Sequence, residues 1–327
     1  WEWDVKRLVA SVAVAARVKG MTDEQAREAA VATASEYRNA ITALASESVM
    51  DAWYQRVDVD DIVAMAENAQ VRAKLQKGVN KATHHTSLEA FEKLTSEVDG
   101  ERRIVDQPPL LMHLIDRETG LKRVQPAYHR YHDSLNRDRQ HLLEQFAIVD
   151  VAIKVVGVGS VGTRCYIILL EGRATDEPLF LQVKEADDSV LSPHLGPSAF
   201  RHRGERVVQG QRLMQAASDL FLGWTSLGRV HFYVRQLRDM KYSVNVDTGP
   251  PEMLAPYGRV CGGTLARAHS RSCDPALIAG YLGTGDVFDE AMGRFALAYA
   301  DQTERDHAAL VKAVKKGRIH AEVDVAP

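Results

Sequence analysis

The sequence predicts an α+β protein in which helical segments at both ends flank a β-rich middle third. Three observations carry that expectation. Residues 1–98 place apolar side chains at helical spacing. Ile148 to Val156, Thr163 to Leu170 and Leu179 to Val183 are rich in Val, Ile, Leu and Tyr and punctuated by glycine, the pattern of strands. Past Gly249-Pro250-Pro251 the chain returns to helical patterning, from Glu252 to Lys316.

Taken in order, Trp3, Leu8, Val12 and Ala15 fit one helical face, and Gly20 supplies a C-terminal stop. Thr22, with Gln25 three positions on, has the form of a capping box. It opens a second helix in which Ala26, Ala29, Ala30, Tyr37, Ile41 and Leu44 stay in register. A third helical stretch is expected from about Asp60 to Lys77. The alanine-rich faces predict helices in close contact. Residues 99–125 read as a surface connection broken by Gly100, Pro108-Pro109 and Gly120, with one short apolar element from Leu110 to Ile115, and a helix from about Ala127 to Phe146 follows. Inside the β-rich segment a helix is expected over 201–219 and a strand from Val230 to Leu237. The predicted division is therefore 1–98, 99–147, 148–247 and 248–327, with no internal repeat and no low-complexity tract.

Composition narrows the class. The 327 residues are 45% hydrophobic and 26% charged, the balance of an ordinary globular chain. A net charge of -3 gives no general attraction for nucleic acid or anionic lipid. The longest apolar stretch, Val9 to Ala16, is interrupted by Ser11 and falls short of the roughly 18–20 residues that span a bilayer. Cys165, Cys261 and Cys273 form no CxxC pair, so a reducing, cytoplasmic setting is expected rather than a disulfide framework or structural zinc. The N-terminus is amphipathic and lacks the form of a signal peptide. The chain opens on Trp1 without an initiator Met, which suggests a removed segment or a fragment.

The sharpest motif is Gly157-Val158-Gly159-Ser160-Val161-Gly162. GxGxxG alone is weak evidence, and its flanks decide the chemistry. A dinucleotide-binding unit would open a helix after it. Here Thr163 to Leu170 is β-branched and aliphatic, so the order is strand, glycine loop, strand, the kinase arrangement in which the loop folds over nucleotide phosphates. Glycines at Gly157, Gly159 and Gly162 leave backbone N–H groups open to phosphate oxygens and tolerate the turn's dihedrals, and Ser160 joins them as a candidate contact. A kinase also needs a lysine on the next strand. Lys184 ends Leu179-Phe180-Leu181-Gln182-Val183-Lys184 in that place, although a lysine closing an apolar strand can equally be a solvated edge residue. On the following helix Glu205 is a candidate ion-pair partner for it and Gln209 a hydrogen-bonding alternative. Arg201, Arg203, Arg206 and Arg212 on that helix either face phosphate or form a solvated face.

Beyond these motifs the chain resembles the domain of unknown function 2252 family of bacterial proteins. The resemblance is carried by Val158 to Arg164, Leu181 to Ala186, Arg206 to Gln215, Tyr233 to Lys241 and Leu265 to Ser272, and by the opening Trp1 to Leu8. It covers nearly the whole chain. That family is distantly similar to the aminoglycoside phosphotransferase branch of kinase-like enzymes, with its parts permuted. The resemblance implies a permuted protein-kinase-like fold, a helical large lobe from 1–98 and 248–327 and a nucleotide-binding small lobe from 148–247. It implies ATP-dependent phosphoryl transfer to a small molecule or protein, with ATP and Mg²⁺ as cofactors, or a non-catalytic pseudokinase-like relative. The family's Gly-Asp-x-His…Asn-Phe-Gly and Asp-Phe-Asp motifs are absent here. By that analogy the catalytic loop belongs upstream of Trp1, residues 1–327 alone turn over negligibly, and an apolar patch lies exposed beside Trp1 and Trp3.

Other segments compete for the catalytic role. Arg238-Asp239-Met240-Lys241 mimics a kinase catalytic loop, but Val244 stands where the metal-binding Asn is required and Asn245 comes one residue late. Tyr131-His132-Asp133-Ser134-Leu135-Asn136 has similar letters inside an expected helix. His129 and His132 have metal-ligand spacing without an evident third ligand. His269 suits packing or capping, and Cys273 has no activating base nearby.

Overall fold

The structure is a computed structural model and describes residues 1–55, 72–73, 76, 94–98, 100–155, 157, 162–173, 177–237 and 249–321. In chain order its elements begin with helices α1 (Glu2–Val18), α2 (Asp23–Leu44) and α3 (Val49–Tyr54). Strands β1 (Thr95–Val98), β2 (Glu101–Ile104) and β3 (Leu111–Met112) precede helices α4 (Arg117–Asp133) and α5 (Arg137–Leu143). Strands β4 (Phe146–Lys154), β5 (Cys165–Gly172) and β6 (Pro178–Glu185) follow, then α6 (Ser192–Leu195), α7 (Arg203–Met214), β7 (Gly223–Leu227) and β8 (Val230–Gln236). The last helices are α8 (Leu254–Ser272), α9 (Pro275–Leu282) and α10 (Val287–Lys315). The architecture is α+β in two compact units, residues 1–76 with 243–327 and residues 77–242. No helix among the described residues is long and apolar enough to cross a membrane.

The first unit is helical. Thr22 and Gln25 close the expected capping box: each side chain accepts the other residue's backbone N–H, at 3.2 and 2.9 Å. Small residues on the inner faces let helices approach closely. Ala30, Ala34, Ala266, Ala296 and Ala300 are all fully buried. At Gly262 in α8 a side chain would run into the Thr33 carbonyl of α2, and at Gly258 into the Thr33 hydroxyl. The Arg38 guanidinium on α2 grips Asp289 of α10 at 2.8 Å, and both are largely removed from water. The helix expected from Asp60 to Lys77 lies almost entirely outside the described residues; Arg72, Ala73 and Gln76 within it are helical.

The second unit is built on a six-stranded antiparallel sheet in the order β3-β4-β5-β6-β8-β7, with β1 and β2 paired separately. Strand alternation gives it two apolar faces. Ile168, Leu170, Leu181, Val183, Phe232 and Val234 cluster with Tyr131 of α4. Ala152, Ile167, Leu169 and Phe180 cluster on the other face with Ile104. The helix expected from Ala127 to Phe146 is instead two helices. The Ser134 hydroxyl donates to the Tyr131 carbonyl at 2.6 Å and accepts the Trp224 N–H at 2.9 Å, so the chain breaks there to meet the sheet edge. Phe146 already belongs to β4. Strand β7 was not expected from the sequence at all, because Gly-Trp-Thr-Ser-Leu is too short to show a period.

Candidate functional site

The glycine motif joins β4 to β5. These strands pair antiparallel up to Ile153↔Tyr166, and β6 lies antiparallel beside β5, the strand order expected from the sequence. Gly157 and Gly162 hold φ of 54° and 84°, left-handed backbone where a β-carbon is strained. Gly159 and Ser160 lie outside the described residues. No helix opens after Gly162, since residues 163 and 164 are irregular and β5 begins at Cys165. The segment therefore lacks the strand-to-helix step of a dinucleotide-binding turn.

Register brings Lys184 to the same end of the sheet. It pairs with Cys165 on one side and Tyr233 on the other. Alternation then sets Lys154, Cys165, Gln182, Lys184 and Tyr233 on one face, continuing the layer of Ala152, Ile167 and Phe180. Lys184 is half-buried, yet its ammonium makes no hydrogen bond or ion pair among the described residues. Burial pushes the Cys165 thiol up, while the nearby charges of Lys184 and Lys154 pull it down. The Lys184 ammonium, half-buried on this face, is the group here that an anion would complement. Sequence reasoning missed Lys154, Cys165, Gln182 and Tyr233, since only strand register reveals them as neighbours.

Helix α7 packs on this face of β7 and β8. The Arg212 guanidinium lies 5.9 Å from the Trp224 ring centroid, and Gly204 sits against the Phe232 carbonyl with no room for a side chain. Glu205 and Gln209 lie on α7, and neither is joined to Lys184 by a hydrogen bond or ion pair. Its arginines are engaged elsewhere. Arg203 pairs with Asp188 at 2.7 Å, Arg206 donates to the Asp187 carbonyl at 2.8 Å, and Arg212 to the Leu222 carbonyl at 2.6 Å.

Two stacked imidazoles anchor the start of α7, with ring centroids 4.0 Å apart. His202 Nδ1 accepts the Glu205 N–H and His231 Nδ1 accepts the Arg203 N–H, both at 3.1 Å. His202 Nε2 then carries its hydrogen and donates to Ser226 Oγ at 2.9 Å. Burial first, and His231 second, hold His202 below the ordinary imidazole value. As pH falls the unfolded chain thus takes up this proton before the folded one. Stability from His202 is complete above the unfolded value of about 6.5 and is lost as pH falls through the lower folded value. Melting temperature should therefore drop more between pH 7.5 and 5.5 for the native chain than for His202→Asn, which caps without titrating; losing such a cap costs about 0.5–2 kcal/mol. Equal slopes would remove His202 as the cause.

The remaining candidates have other occupations. His132 faces Glu144 at 3.2 Å and Asp133 at 3.4 Å. No group of three metal-ligating side chains gathers among the described residues. His269 is buried: Tyr37 donates to its Nδ1 at 2.8 Å, and its Nε2 faces Asp4 at 3.3 Å, which holds the Asp4 carboxyl below its usual range. Burial pushes the Cys273 thiol up, and its Sγ donates to the His269 carbonyl at 2.9 Å. Arg238, Asp239, Val244 and Asn245 lie outside the described residues. Trp1 stacks on Tyr37 at 6.2 Å, whereas Trp3 is 41% exposed and lines a groove with Phe295 and Tyr299.

No curated protein and no solved structure matches this chain. The model of DUF2252, a family described as uncharacterized proteins conserved in bacteria, matches residues 1–313, and the chain belongs to that family.

Proposed function

We propose that the unit of residues 77–242 binds ATP on its Lys184 face, in the manner of the small lobe of a kinase-like phosphotransferase. The observation that carries this reading is Lys184 itself: a half-buried lysine with no hydrogen-bond or ion-pair partner among the described residues, at the sheet end where the glycine connection arrives. The order of parts supports it. Strand, glycine turn with left-handed Gly157 and Gly162, strand, strand carrying a lysine near its end, then a helix on the same face are the parts phosphate binding of this kind uses. Backbone N–H groups near Gly157 and Gly162 and the Lys184 ammonium are the groups that hold the phosphates. ATP-dependent phosphoryl transfer to a small molecule or protein is the activity this grip serves. The described residues do not gather ligands for Mg²⁺, so no step is assigned to the metal.

One observation favours a second reading, a nucleotide-binding pseudokinase. Active protein kinases hold their lysine in an ion pair with a helix glutamate, and Glu205 makes no such pair with Lys184. Equilibrium titration with ATP, ADP and adenosine tests binding. Phosphate-dependent binding should make ATP at least about tenfold tighter than adenosine, since charge-assisted hydrogen bonds contribute about 1.5–3 kcal/mol each. Equal affinities, or no binding of any of the three, would contradict the proposal.

A further inference from the structure

The opposite face of the same sheet carries a different kind of site. Between α4 and the strands lies a cavity of about 280 Å³. Val151, Ile168, Val183 and Val234 line it from the sheet, and Val124 and Ala127 from α4. Protein interiors are packed too closely to leave such a space idle, and an apolar cavity repels water but accepts hydrocarbon. Its size approaches the lower end of small-molecule sites, roughly 300–1,000 Å³.

Its polar groups are few and sorted. The Tyr131 hydroxyl donates to the Phe221 carbonyl at 2.7 Å, and Thr225 to the Ala127 carbonyl at 2.5 Å, so both are satisfied. Tyr128 and Tyr166 also line the cavity, and neither hydroxyl has a hydrogen-bond partner among the described residues. Burial raises both phenols, which keeps them protonated donors. Neither hydroxyl is among the described side-chain polar atoms sealed from water without a partner, so each is open to donate to a molecule in the cavity. Leu114, Ile115 and Leu227 line the cavity yet are exposed, which marks them as its mouth. Arg123 stands with them and forms no ion pair among the described residues.

We propose that this cavity binds a small apolar monocarboxylic acid, its hydrocarbon between α4 and the sheet and its carboxylate toward Arg123, with the Tyr128 and Tyr166 hydroxyls as further donors. The site is independent of the nucleotide reading.

Calorimetric titration of the full chain with decanoate, and with decanol as the neutral probe, tests it. Decanoate should bind saturably at one site per chain and more tightly than decanol. Filling the cavity with Val124→Trp should weaken both at least about tenfold. Gly120→Leu is a second filling variant, because a side chain there meets only Ile115 at 3.9 Å and the helix gains a better former. Arg123→Gln should weaken decanoate about three- to fivefold, the scale of a partly exposed ion pair, and leave decanol unchanged. Unsaturable partitioning, or affinity unchanged in a folded filling variant, would overturn the site. Decanol binding as tightly as decanoate, or decanoate indifferent to Arg123→Gln, would overturn the acid as its ligand.

Discussion

Lys184→Met is expected to weaken ATP binding roughly ten- to a hundredfold while leaving the melting temperature of the free protein nearly unchanged. The affinity loss follows from removing a charge-assisted contact worth about 1.5–3 kcal/mol. The unchanged stability follows from the structure: Lys184 makes no hydrogen bond or ion pair among the described residues, so folding loses nothing when the ammonium goes. Met keeps the length and apolar stem that pack over Cys165 and Tyr233, its register partners. Lys184→Arg retains charge with different geometry and should fall between the two. Titration calorimetry and thermal melts on the three proteins separate the outcomes. Equal ATP affinity in Lys184→Met would remove this residue from the site, and a large fall in melting temperature would assign it a structural role.

The second large effect is on stability. Gly262→Ala should destabilise the helical unit by about 1–3 kcal/mol, the cost of overpacking, although helix propensity alone favours Ala by about 1 kcal/mol. Steric contact wins because a methyl at Gly262 meets backbone, the Thr33 carbonyl and the Tyr37 nitrogen of α2, and backbone cannot turn aside. The adjacent glycine is the control. A side chain at Gly263 comes no closer than 3.8 Å to the flexible Glu36, so Gly263→Ala should be neutral or mildly stabilising. Opposite signs at neighbouring positions in thermal or urea melts would establish close helix contact as the reason for Gly262. Stabilisation by both variants would refute it.

These two sites also show what the sequence made legible. Local signals survived intact. Thr22 and Gln25 announced a helix start because a capping box is complete within four residues. The strands on either side of the glycine motif announced themselves by β-branched composition, and they pair as expected. What stayed hidden depends on partners distant in the chain. Thr33 and Gly262 meet only after two helices pack. His202 and His231 stack only once α7 lies on β8. Asp150, buried and accepting the Ile104 N–H at 2.9 Å, reads in the sequence as one more charge within a strand. The break after Asp133 escaped notice because Ser134 is drawn out by Trp224, ninety positions on. The face shared by Lys154, Cys165, Lys184 and Tyr233 needs the register of four strands, which no single segment encodes.

The central claim is that nucleotide phosphates lie against Lys184. A nucleotide acyl phosphate tests it directly, because its mixed anhydride sits beside the phosphates and acylates an amine held there. Incubating the full chain with the ATP acyl phosphate, with and without excess ATP, followed by peptide mass spectrometry, reads out which lysine is labelled. Lys184 should be the main acylated residue, and excess ATP should suppress its labelling at least about tenfold, in line with a specific, saturable phosphate site. Labelling spread over exposed lysines and indifferent to ATP, with Lys184 unmodified, would contradict the account.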